Sequence, residues 1–324
     1  MKKFLKHISL GFLLFVIINI LILIKYELPA YEALKNKTHK NYLKWNGIHN
    51  NANTYDLIIL GSSRAYTSLN PKIIDSGLNL KSFNMGTSSQ DITETYYTLK
   101  EILDYQNPKY IVLETYLGSS DSFINYYQVY SNSSFFKSTK HKYDLVVDGY
   151  GSKGIVNYLI PLMKFNNYIK QDIISIFSKK KSKNPMKGWY KGFYNDTTVV
   201  QQNDINNFEP IPNFRNKLFN KNRFKSYFDK IYELTKARGI QLIVIRTPYP
   251  PSRLMLNSNT DENSFYQNYF SEYKDVGYYD LNSYKSNIFN FKDKDFSDFH
   301  HANGKGAVKI SQQVVDIIKT QQLN

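Results

Sequence analysis

The chain has 324 residues, of which 42 are Lys or Arg and 27 are Asp or Glu, so its formal net charge is +15. Hydrophobic residues make up 42% and aromatic residues 16%, which excludes an intrinsically disordered protein because this much apolar material can form a core. The absence of Cys excludes a disulfide scaffold, a thiolate metal site, an iron–sulfur cluster and a thiol nucleophile.

The excess of positive charge has two interpretations. It is typical of proteins that bind polyanions, among which nucleic acid is the most common partner. It also arises in an AT-rich genome, which enriches Lys, Asn, Ile and Tyr without selecting for any partner. The location of the chain in the cell bears on this choice more directly than the charge itself.

The first segment is typical of a membrane anchor. Three lysines within the first six residues precede an apolar run, 8–24, in which only Ser9 and Asn19 are polar. The run spans ~26 Å, close to the ~30 Å of a hydrocarbon core. The preceding lysines predict a cytoplasmic N-terminus, and no small-residue cleavage site follows, so residues 1–25 are predicted to be an uncleaved signal anchor. The membrane is then a partner, and genomic nucleic acid is not.

The rest of the chain reads as an α/β protein. Residues 26–54 are polar and predict a stalk, after which short apolar runs alternate with amphipathic segments. The predicted strands are 55–60, 82–85, 110–113, 241–245 and 278–281, and the predicted helices are 91–105, 214–238, 263–274 and 305–319. This alternation predicts a parallel sheet with helices on both faces. Residues 118–213 interrupt it and predict an insertion in a catalytic domain over 55–324.

The ends of the first two predicted strands carry small polar residues. Gly61 is followed by Ser62, Ser63 and Arg64, and the second strand is followed by Gly86. In parallel sheets, functional sites form at the carboxyl ends of strands. The first segment predicts either a serine nucleophile at a sharp turn or a helix cap. Gly86 can present its backbone N–H to an oxyanion, although Gly after a strand is also ordinary turn chemistry.

A group of titratable residues precedes the last predicted helix: Asp295, Asp298, His300 and His301. An Asp three residues before a His can hold the imidazole Nδ1–H while Nε2 faces a nucleophile. The same four side chains could hold the metal of an anchored metallo-phosphoesterase, but the chain has no His-x-x-x-His or His-x-His pattern to complete such a site. A purely structural turn is the third interpretation.

Together, Gly-x-Ser, a second glycine and Asp-x-x-His resemble the motifs of the SGNH (GDSL-type) hydrolase superfamily. The resemblance covers about residues 55–116 and 214–320. It implies a flavodoxin-like three-layer α/β/α sandwich with a parallel sheet, to which this chain would add the N-terminal transmembrane helix and the central insertion.

The resemblance also implies roles for individual residues. Ser63 matches the nucleophile, Asp298 and His301 match the other two members of the triad, and the backbone N–H groups of Ser63 and Gly86 match the oxyanion hole. The family's third motif supplies an Asn amide to that hole, and this chain has Ser120 at the nearest position. Either Ser120 donates a weaker hydrogen bond or the hole relies on the two backbone groups.

The ending His-Ala-Asn-x-x-Gly, residues 301–306, is similar to that of membrane-anchored members of the superfamily. Those members include the D-alanine transfer proteins of teichoic-acid loci and the acetyl-transfer proteins of exopolysaccharide loci.

Three further residues are candidates for substrate contacts. Tyr116 and Arg246 follow or finish apolar strands, so both are expected to face the crevice at the sheet edge. Arg246 is either a clamp on the substrate or a salt-bridge partner of Glu114. Arg64, beside the predicted nucleophile, either holds an anionic acceptor or caps the structure.

These features predict a membrane-anchored, extracytoplasmic serine acyltransferase or esterase. It would act on acetyl or D-alanyl O-acyl groups of a cell-surface polysaccharide or teichoic acid, through an acyl-serine and without a metal or other cofactor. The resemblance implies a membrane-bound O-acyltransferase as a further partner. The alternative is a non-catalytic envelope protein for glycan binding or assembly, with a degenerate site.

Overall fold

The computed structural model describes residues 1–27, 40–115, 124–166, 169–170, 173, 188–201, 221–256, 260–282 and 290–322. The chain divides into two compact units. The helical unit contains Met1–Leu43 and Asn125–Lys187, and the sheet unit contains Lys44–Ile124 and Gly188–Asn324. The end of the predicted stalk and the end of the predicted insertion therefore both belong to the sheet unit.

The helices, numbered in chain order, are α1 (Lys2–Ile22), α2 (Lys40–His49), α3 (Ser63–Ser68), α4 (Pro71–Leu78), α5 (Ile92–Leu103), α6 (Tyr126–Ser133), α7 (Thr139–Asp144), α8 (Gly151–Leu159), α9 (Pro161–Lys164), α10 (Lys221–Lys236), α11 (Pro251–Leu256), α12 (Thr260–Phe270) and α13 (Gly304–Gln322). The strands are β1 (Leu57–Leu60), β2 (Ser82–Asn84), β3 (Tyr110–Glu114), β4 (Trp189–Tyr190), β5 (Phe193–Tyr194), β6 (Gln241–Arg246) and β7 (Gly277–Asp280).

Five of these strands form one parallel sheet in the order β2-β1-β3-β6-β7. Numbered among themselves, these strands run 2-1-3-4-5, which is the flavodoxin-like order of a doubly wound sheet. In the register of the sheet, Ile58 lies between Phe83 on one neighbour and Ile111 on the other. The predicted α/β fold class is confirmed.

The sheet is buried on both faces, which explains why its strands read as continuous apolar runs. Leu57 and Ile59 pack on one face against α4 and α13, in a core that includes Ile74, Ile310 and Val314. Because side chains alternate along a strand, the completely buried Ile58 and Leu60 point to the opposite face. On that side, α5 packs against α10 through buried residues such as Leu99, Ile102, Phe224 and Phe228.

The hairpin β4–β5 covers the β2 edge of the sheet. Lys191 and Gly192, the two residues between its strands, have φ angles of 44° and 79°, as a tight two-residue turn requires. The Asn84 backbone N–H donates to the Lys191 carbonyl at 2.9 Å. A Cβ atom at Gly192 would collide with the Asn84 carbonyl oxygen, so only glycine allows this approach. The hairpin thereby protects an exposed strand edge.

The helical unit contains α1 and the group of helices α6 to α9. The segment Lys2–Tyr26 is long and apolar enough to cross a membrane, and most of its side chains are exposed. Tyr26, just beyond α1, stacks on Phe165 with the ring centroids 5.5 Å apart. Inside the group, the Tyr130 hydroxyl donates to the Gly154 carbonyl at 2.6 Å.

We expect Gly192→Ala to destabilise the protein more than Gly239→Ala. Gly239 also has a positive φ, 65°, but open space surrounds the position of a Cβ, so its substitution isolates the backbone strain. That strain lowers the free energy of unfolding by about 1–2 kcal/mol. The collision at Gly192 adds a further ~1–3 kcal/mol. Urea unfolding of the solubilised protein measures both, and equal losses would contradict the close approach of the hairpin to β2.

Candidate active site

The predicted nucleophile lies at a sharp turn between β1 and α3. Gly61 has a φ of 135°, and a Cβ there would press against Glu114 of the neighbouring strand, so the turn requires glycine. Ser62 is the N-cap of α3, because its Oγ accepts a hydrogen bond from the Arg64 backbone N–H. Ser63 is therefore the first residue of a helix at the carboxyl edge of the sheet, where its side chain is half-buried.

Ser63, His301 and Asp298 form a continuous chain of hydrogen bonds. Ser63 Oγ lies 2.8 Å from His301 Nε2. On the other side of the ring, His301 Nδ1 lies 2.8 Å from Asp298 Oδ2 and 3.0 Å from Oδ1. The structure thus brings together the three residues that the sequence predicted, although Ser63 is far from the other two in the chain. The arrangement matches the relation of nucleophile, base and orienting carboxylate in a serine triad.

Asp298 is held ionised. Partial burial alone would raise the pKa of its carboxyl group, but the His301 side chain and the backbone N–H groups of His300 and His301 lower it to about 2. Those N–H groups donate to Oδ1 at 2.6 and 2.9 Å. An ionised carboxylate favours the tautomer of His301 with its proton on Nδ1, which leaves Nε2 free to accept the proton of Ser63.

His300 has a different environment from its neighbour His301. Burial, together with the positive charges of Arg253 and Arg64, lowers the pKa of its imidazole to about 3. The Arg253 guanidinium lies 2.8 Å from His300 Nδ1 and also donates to the Phe299 carbonyl oxygen. His300 is therefore neutral at physiological pH, and its contact with Arg253 positions the loop that carries His301.

Asp295, another residue of the possible metal site, also has partners of its own. Asp295 is buried, and its Oδ2 accepts hydrogen bonds from Lys309 Nζ at 2.5 Å and from the Lys292 backbone N–H at 3.0 Å. Asp295 thus fastens the loop to α13. His300 contacts Arg253, and Asp298 and His301 contact each other. The four side chains therefore have separate partners and do not converge on one ion position.

The side chain of Asn303, two residues after His301, caps the following helix and holds the loop before it. Its Oδ1 accepts from the backbone N–H groups of Lys305 and Gly306, which caps α13. Its Nδ2 donates to the carbonyl groups of Thr198 and Lys294 at 3.0 and 2.9 Å. The end of the predicted insertion, 188–201, therefore supports the loop of the candidate triad, which the sequence did not predict.

The prediction that the Gly86 backbone N–H lines the oxyanion hole is corrected by the structure. This N–H donates to Asn84 Oδ1 at 3.0 Å, and the Gly86 carbonyl accepts from Lys44 Nζ. Asn84 Nδ2 donates to the carbonyl oxygens of Ala65 and Leu69, both at 2.9 Å. Asn84 thus links β2 to α3. The Gly86 N–H already donates a hydrogen bond to it, so this N–H is not free to bind an oxyanion.

The backbone N–H groups of Ser63 and Ser89 donate no hydrogen bond to any described residue. The Ser63 N–H is one of the orphan donors at the start of α3. Ser89 follows Gly86 in the same loop and has a φ of 57°, which is uncommon for a residue with a side chain. Its neighbour Ser88 bonds the Tyr66 hydroxyl at 3.1 Å, so the loop flanks α3.

The predicted substrate contacts of two arginines are also corrected. Arg64 is completely buried, with Nε 2.8 Å from Thr247 Oγ1 and a terminal nitrogen 2.6 Å from the Pro248 carbonyl oxygen. It joins α3 to the end of β6 and has no surface to offer an acceptor. Arg246 is 3% exposed and pairs with Asp280 at 3.5 Å, so it too is structural. Tyr116 and Ser120 lie outside the described residues.

Glu114 and Tyr249 are buried near the nucleophile and contact the polar side chains around it. Glu114 Oε2 accepts from Ser62 Oγ at 2.8 Å, which orients the cap of α3. The Tyr249 ring contacts three guanidinium groups, with its centroid 4.1 Å from Arg64 Cζ, 4.3 Å from Arg253 Cζ and 5.6 Å from Arg246 Cζ. The end of the strand before Tyr249 could be predicted from the sequence. The spacing of residues did not indicate that Arg64 and Arg253 would be buried.

An aromatic group lies one helical turn beyond the nucleophile. Tyr66 of α3 is 5.3 Å from Trp189 of the hairpin, measured between ring centroids, and Trp189 is 5.2 Å from Tyr194. Lys44 Nζ lies 5.0 Å from the Tyr66 ring and 5.3 Å from the Trp189 ring. Burial raises the pKa of the Tyr66 hydroxyl, so this hydroxyl stays protonated. Because Trp189 and Tyr194 are partly exposed, the group forms part of the surface around the site.

Comparison with known proteins adds several structural likenesses. No protein-family model and no curated protein matches the chain. A GDSL-like lipase of Bacteroides thetaiotaomicron is 11% identical, with a TM-score of 0.39 over 82% of this chain and 88% of the other. A psychrotrophic esterase of a Pseudoalteromonas species is 10% identical, with a TM-score of 0.41 over 83% and 100%. An acetyl xylan esterase of Butyrivibrio proteoclasticus is 11% identical, with a TM-score of 0.33 over 83% and 65%.

The low pKa of His300 predicts a loss of stability at acidic pH. A histidine of the unfolded chain takes up a proton near pH 6.5, whereas folded His300 does so only near pH 3. Stability is therefore full above about pH 6.5 and falls as the pH drops from there towards 3, by at most about 1.4 kcal/mol per pH unit.

Urea unfolding at pH 7 and pH 5 measures this effect in the wild type and in His300→Gln. Gln can still accept a hydrogen bond from Arg253 but does not titrate. We expect the wild type to lose more stability than the variant between the two pH values. An equal loss would show that His300 is not held neutral.

Proposed function

We propose that the protein is a serine O-acyltransferase or esterase that acts on O-acyl groups of a cell-surface glycan through an acyl-serine intermediate. The observation that carries the proposal is the hydrogen-bond chain from Ser63 through His301 to Asp298. The ionised Asp298 contacts His301 Nδ1, which leaves Nε2 facing Ser63 Oγ, where it can accept the proton of the hydroxyl.

In the first step, Ser63 Oγ attacks the carbonyl carbon of the acyl group while its proton moves to His301 Nε2. The tetrahedral intermediate collapses as the bond to the leaving alkoxide breaks, and His301 returns the proton to that oxygen. In the second step, water or a sugar hydroxyl attacks the acyl-serine, and its proton passes through His301 back to Ser63 Oγ. Water yields an esterase and the sugar hydroxyl a transferase.

The intermediate's oxyanion needs donors other than Gly86. We assign the Ser63 backbone N–H, which stands at the start of α3, and, as a second donor, the Ser89 backbone N–H in the loop that flanks α3. Ser120 stays a prediction for a third donor. Since loss of one donor costs ~10²–10³ in rate, the number of donors bears directly on the turnover of this site.

The proposed substrate is an acetylated or D-alanylated polysaccharide or teichoic acid outside the membrane. Three features support this choice: the apolar α1 behind a lysine-rich start, the net charge of +15, and the aromatic group of Tyr66, Trp189 and Tyr194 beside Ser63. Aromatic faces with a few polar groups are typical linings of ligand sites. A membrane-bound O-acyltransferase that carries acyl groups across the bilayer is the proposed partner, by resemblance to the anchored SGNH members.

The second candidate is a non-catalytic envelope protein that binds or helps assemble glycan. The engagement of the Gly86 N–H by Asn84 favours it, because this arrangement weakens the oxyanion hole. The aromatic group would serve such a protein equally well. The two candidates differ in one respect only, the reactivity of Ser63.

A fluorophosphonate probe distinguishes them, because it reacts covalently with an activated serine. We expect the wild-type protein to be labelled and Ser63→Ala not to be labelled. Ser76→Ala is the matched control, since it removes an exposed hydroxyl of α4 that bonds only the Ile73 carbonyl and leaves the hydrogen bond between Ser63 and His301. Ser76→Ala should therefore keep its labelling. A well-folded wild type that is not labelled would support the binding protein instead.

A further inference from the structure

The segment α8–α9, Gly151–Lys164, makes a specific contact with the apolar helix α1 inside the helical unit. The backbone N–H of Leu162 donates to Asn19 Oδ1 at 3.0 Å. Asn19 Nδ2 in turn donates to the Phe15 carbonyl of its own helix at 2.9 Å. Asn19 and Ile22 are buried at this contact, whereas most of α1 is exposed. The second polar residue of the predicted span thus has a partner on another helix.

This hydrogen bond satisfies two groups that an apolar environment would penalise. The first N–H groups of a helix have no partner within it, and Pro161 at the start of α9 has no N–H, so Leu162 carries the first of these donors. An amide side chain inside a membrane span also needs a partner, because no water is present to supply one. The hydrogen bond between the Leu162 N–H and Asn19 Oδ1 gives both groups a partner.

The same contact defines a depth. Asn19 lies about 10 Å below the outer end of the Lys2–Tyr26 helix at ~1.5 Å per residue. If α1 spans the bilayer, as the proposed function assumes, the start of α9 then lies below the headgroups of the outer leaflet. A protein segment at that depth has acyl chains as its surroundings wherever it does not touch α1 or its own neighbours.

The outward side chains of α8–α9 fit these surroundings. Leu159 is 69% exposed, and Val156 and Met163 are 44% and 45% exposed. On the inner side of α8, a Cβ at Gly154 would collide with the Val146 carbonyl, so the helix packs closely there and directs its large apolar residues outwards. Such a patch is costly in water and is typical of a site of membrane contact.

Aromatic and basic side chains lie at the margins of this patch, as expected at a membrane surface. Tyr158 is 45% exposed and its ring lies 5.1 Å from that of Tyr130. Lys164 Nζ lies 5.4 Å from the ring centroids of Tyr158 and Phe165. Tyrosines and lysines with this arrangement favour the boundary between acyl chains and headgroups.

We propose that α8–α9 is a second membrane-embedded element, which enters the outer leaflet beside α1 and contacts lipid acyl chains through Val156, Leu159 and Met163. The inference rests on the membrane insertion of α1 in the proposed function, but not on the chemistry of Ser63. It gives part of the central insertion a role in anchoring, because the chain is then held at the bilayer by a pair of elements instead of one helix.

The absence of Cys allows a direct test with single-cysteine variants of the full chain. Leu159→Cys is labelled with an environment-sensitive fluorophore in vesicles of phosphatidylcholine and phosphatidylglycerol. Phospholipids with a spin label on the acyl chain quench the fluorophore from the hydrocarbon, and iodide quenches it from water. Ile20→Cys on α1 reports insertion of the helix, and Val308→Cys on α13 is the matched exposed apolar position, at 47% exposure.

We expect Leu159→Cys to behave like Ile20→Cys, with quenching by the labelled lipid and protection from iodide, while Val308→Cys shows the reverse. If Leu159→Cys is quenched by iodide as strongly as Val308→Cys while Ile20→Cys is quenched by lipid, the inference is overturned and the patch suits a protein partner instead. Iodide quenching at Ile20→Cys as well would overturn the membrane anchor together with the inference. Neither result depends on whether Ser63 is reactive.

Discussion

The hydrogen bond between Ser63 Oγ and His301 Nε2 is the constraint on which the candidate site depends. It joins the end of the first strand to a loop near the end of the chain at 2.8 Å. A parallel sheet meets this requirement because its strands all end at one edge. The packing of α4 and α13 against the same face of the sheet brings the two loops into register, and Asn303 caps α13 directly after the histidine.

The sequence was sufficient to predict the class of fold and the three residues of the candidate triad. Strands buried on both faces read as uninterrupted apolar runs, and Asp298 and His301 are close enough in the chain for their relation to be local. The contacts that depend on tertiary structure could not be read in this way. Asn84 Nδ2 donates to carbonyl oxygens of α3 and of the residue after it while its Oδ1 accepts from the Gly86 N–H, and nothing in the spacing of residues indicates that β2 and α3 meet there.

The net charge of the chain overstates how basic its surface is around the candidate site. Arg64, Arg246, Arg253 and Lys44 are buried around the site, so they do not belong to a basic surface for a polyanion. Arginine and lysine are rarely buried without partners, and the sequence alone left a substrate contact and a structural role open for both Arg64 and Arg246. In the fold, carbonyl oxygens at the end of β6, Asp280 and the Gly86 carbonyl provide partners. The charges of Arg253 and Arg64 also help to keep His300 neutral.

If Ser63 is the nucleophile, it becomes covalently acylated during turnover, and mass spectrometry can locate that acyl group. The full-length protein is mixed with an activated acetyl ester, quenched with acid during the first turnovers, digested and mapped by mass spectrometry. We expect an acetyl group on Ser63 of the wild type and none at position 63 of the Ser63→Ala variant, with the same background acetylation of lysines in both. Turnover of the ester by the wild type with Ser63 unmodified would contradict covalent catalysis by Ser63.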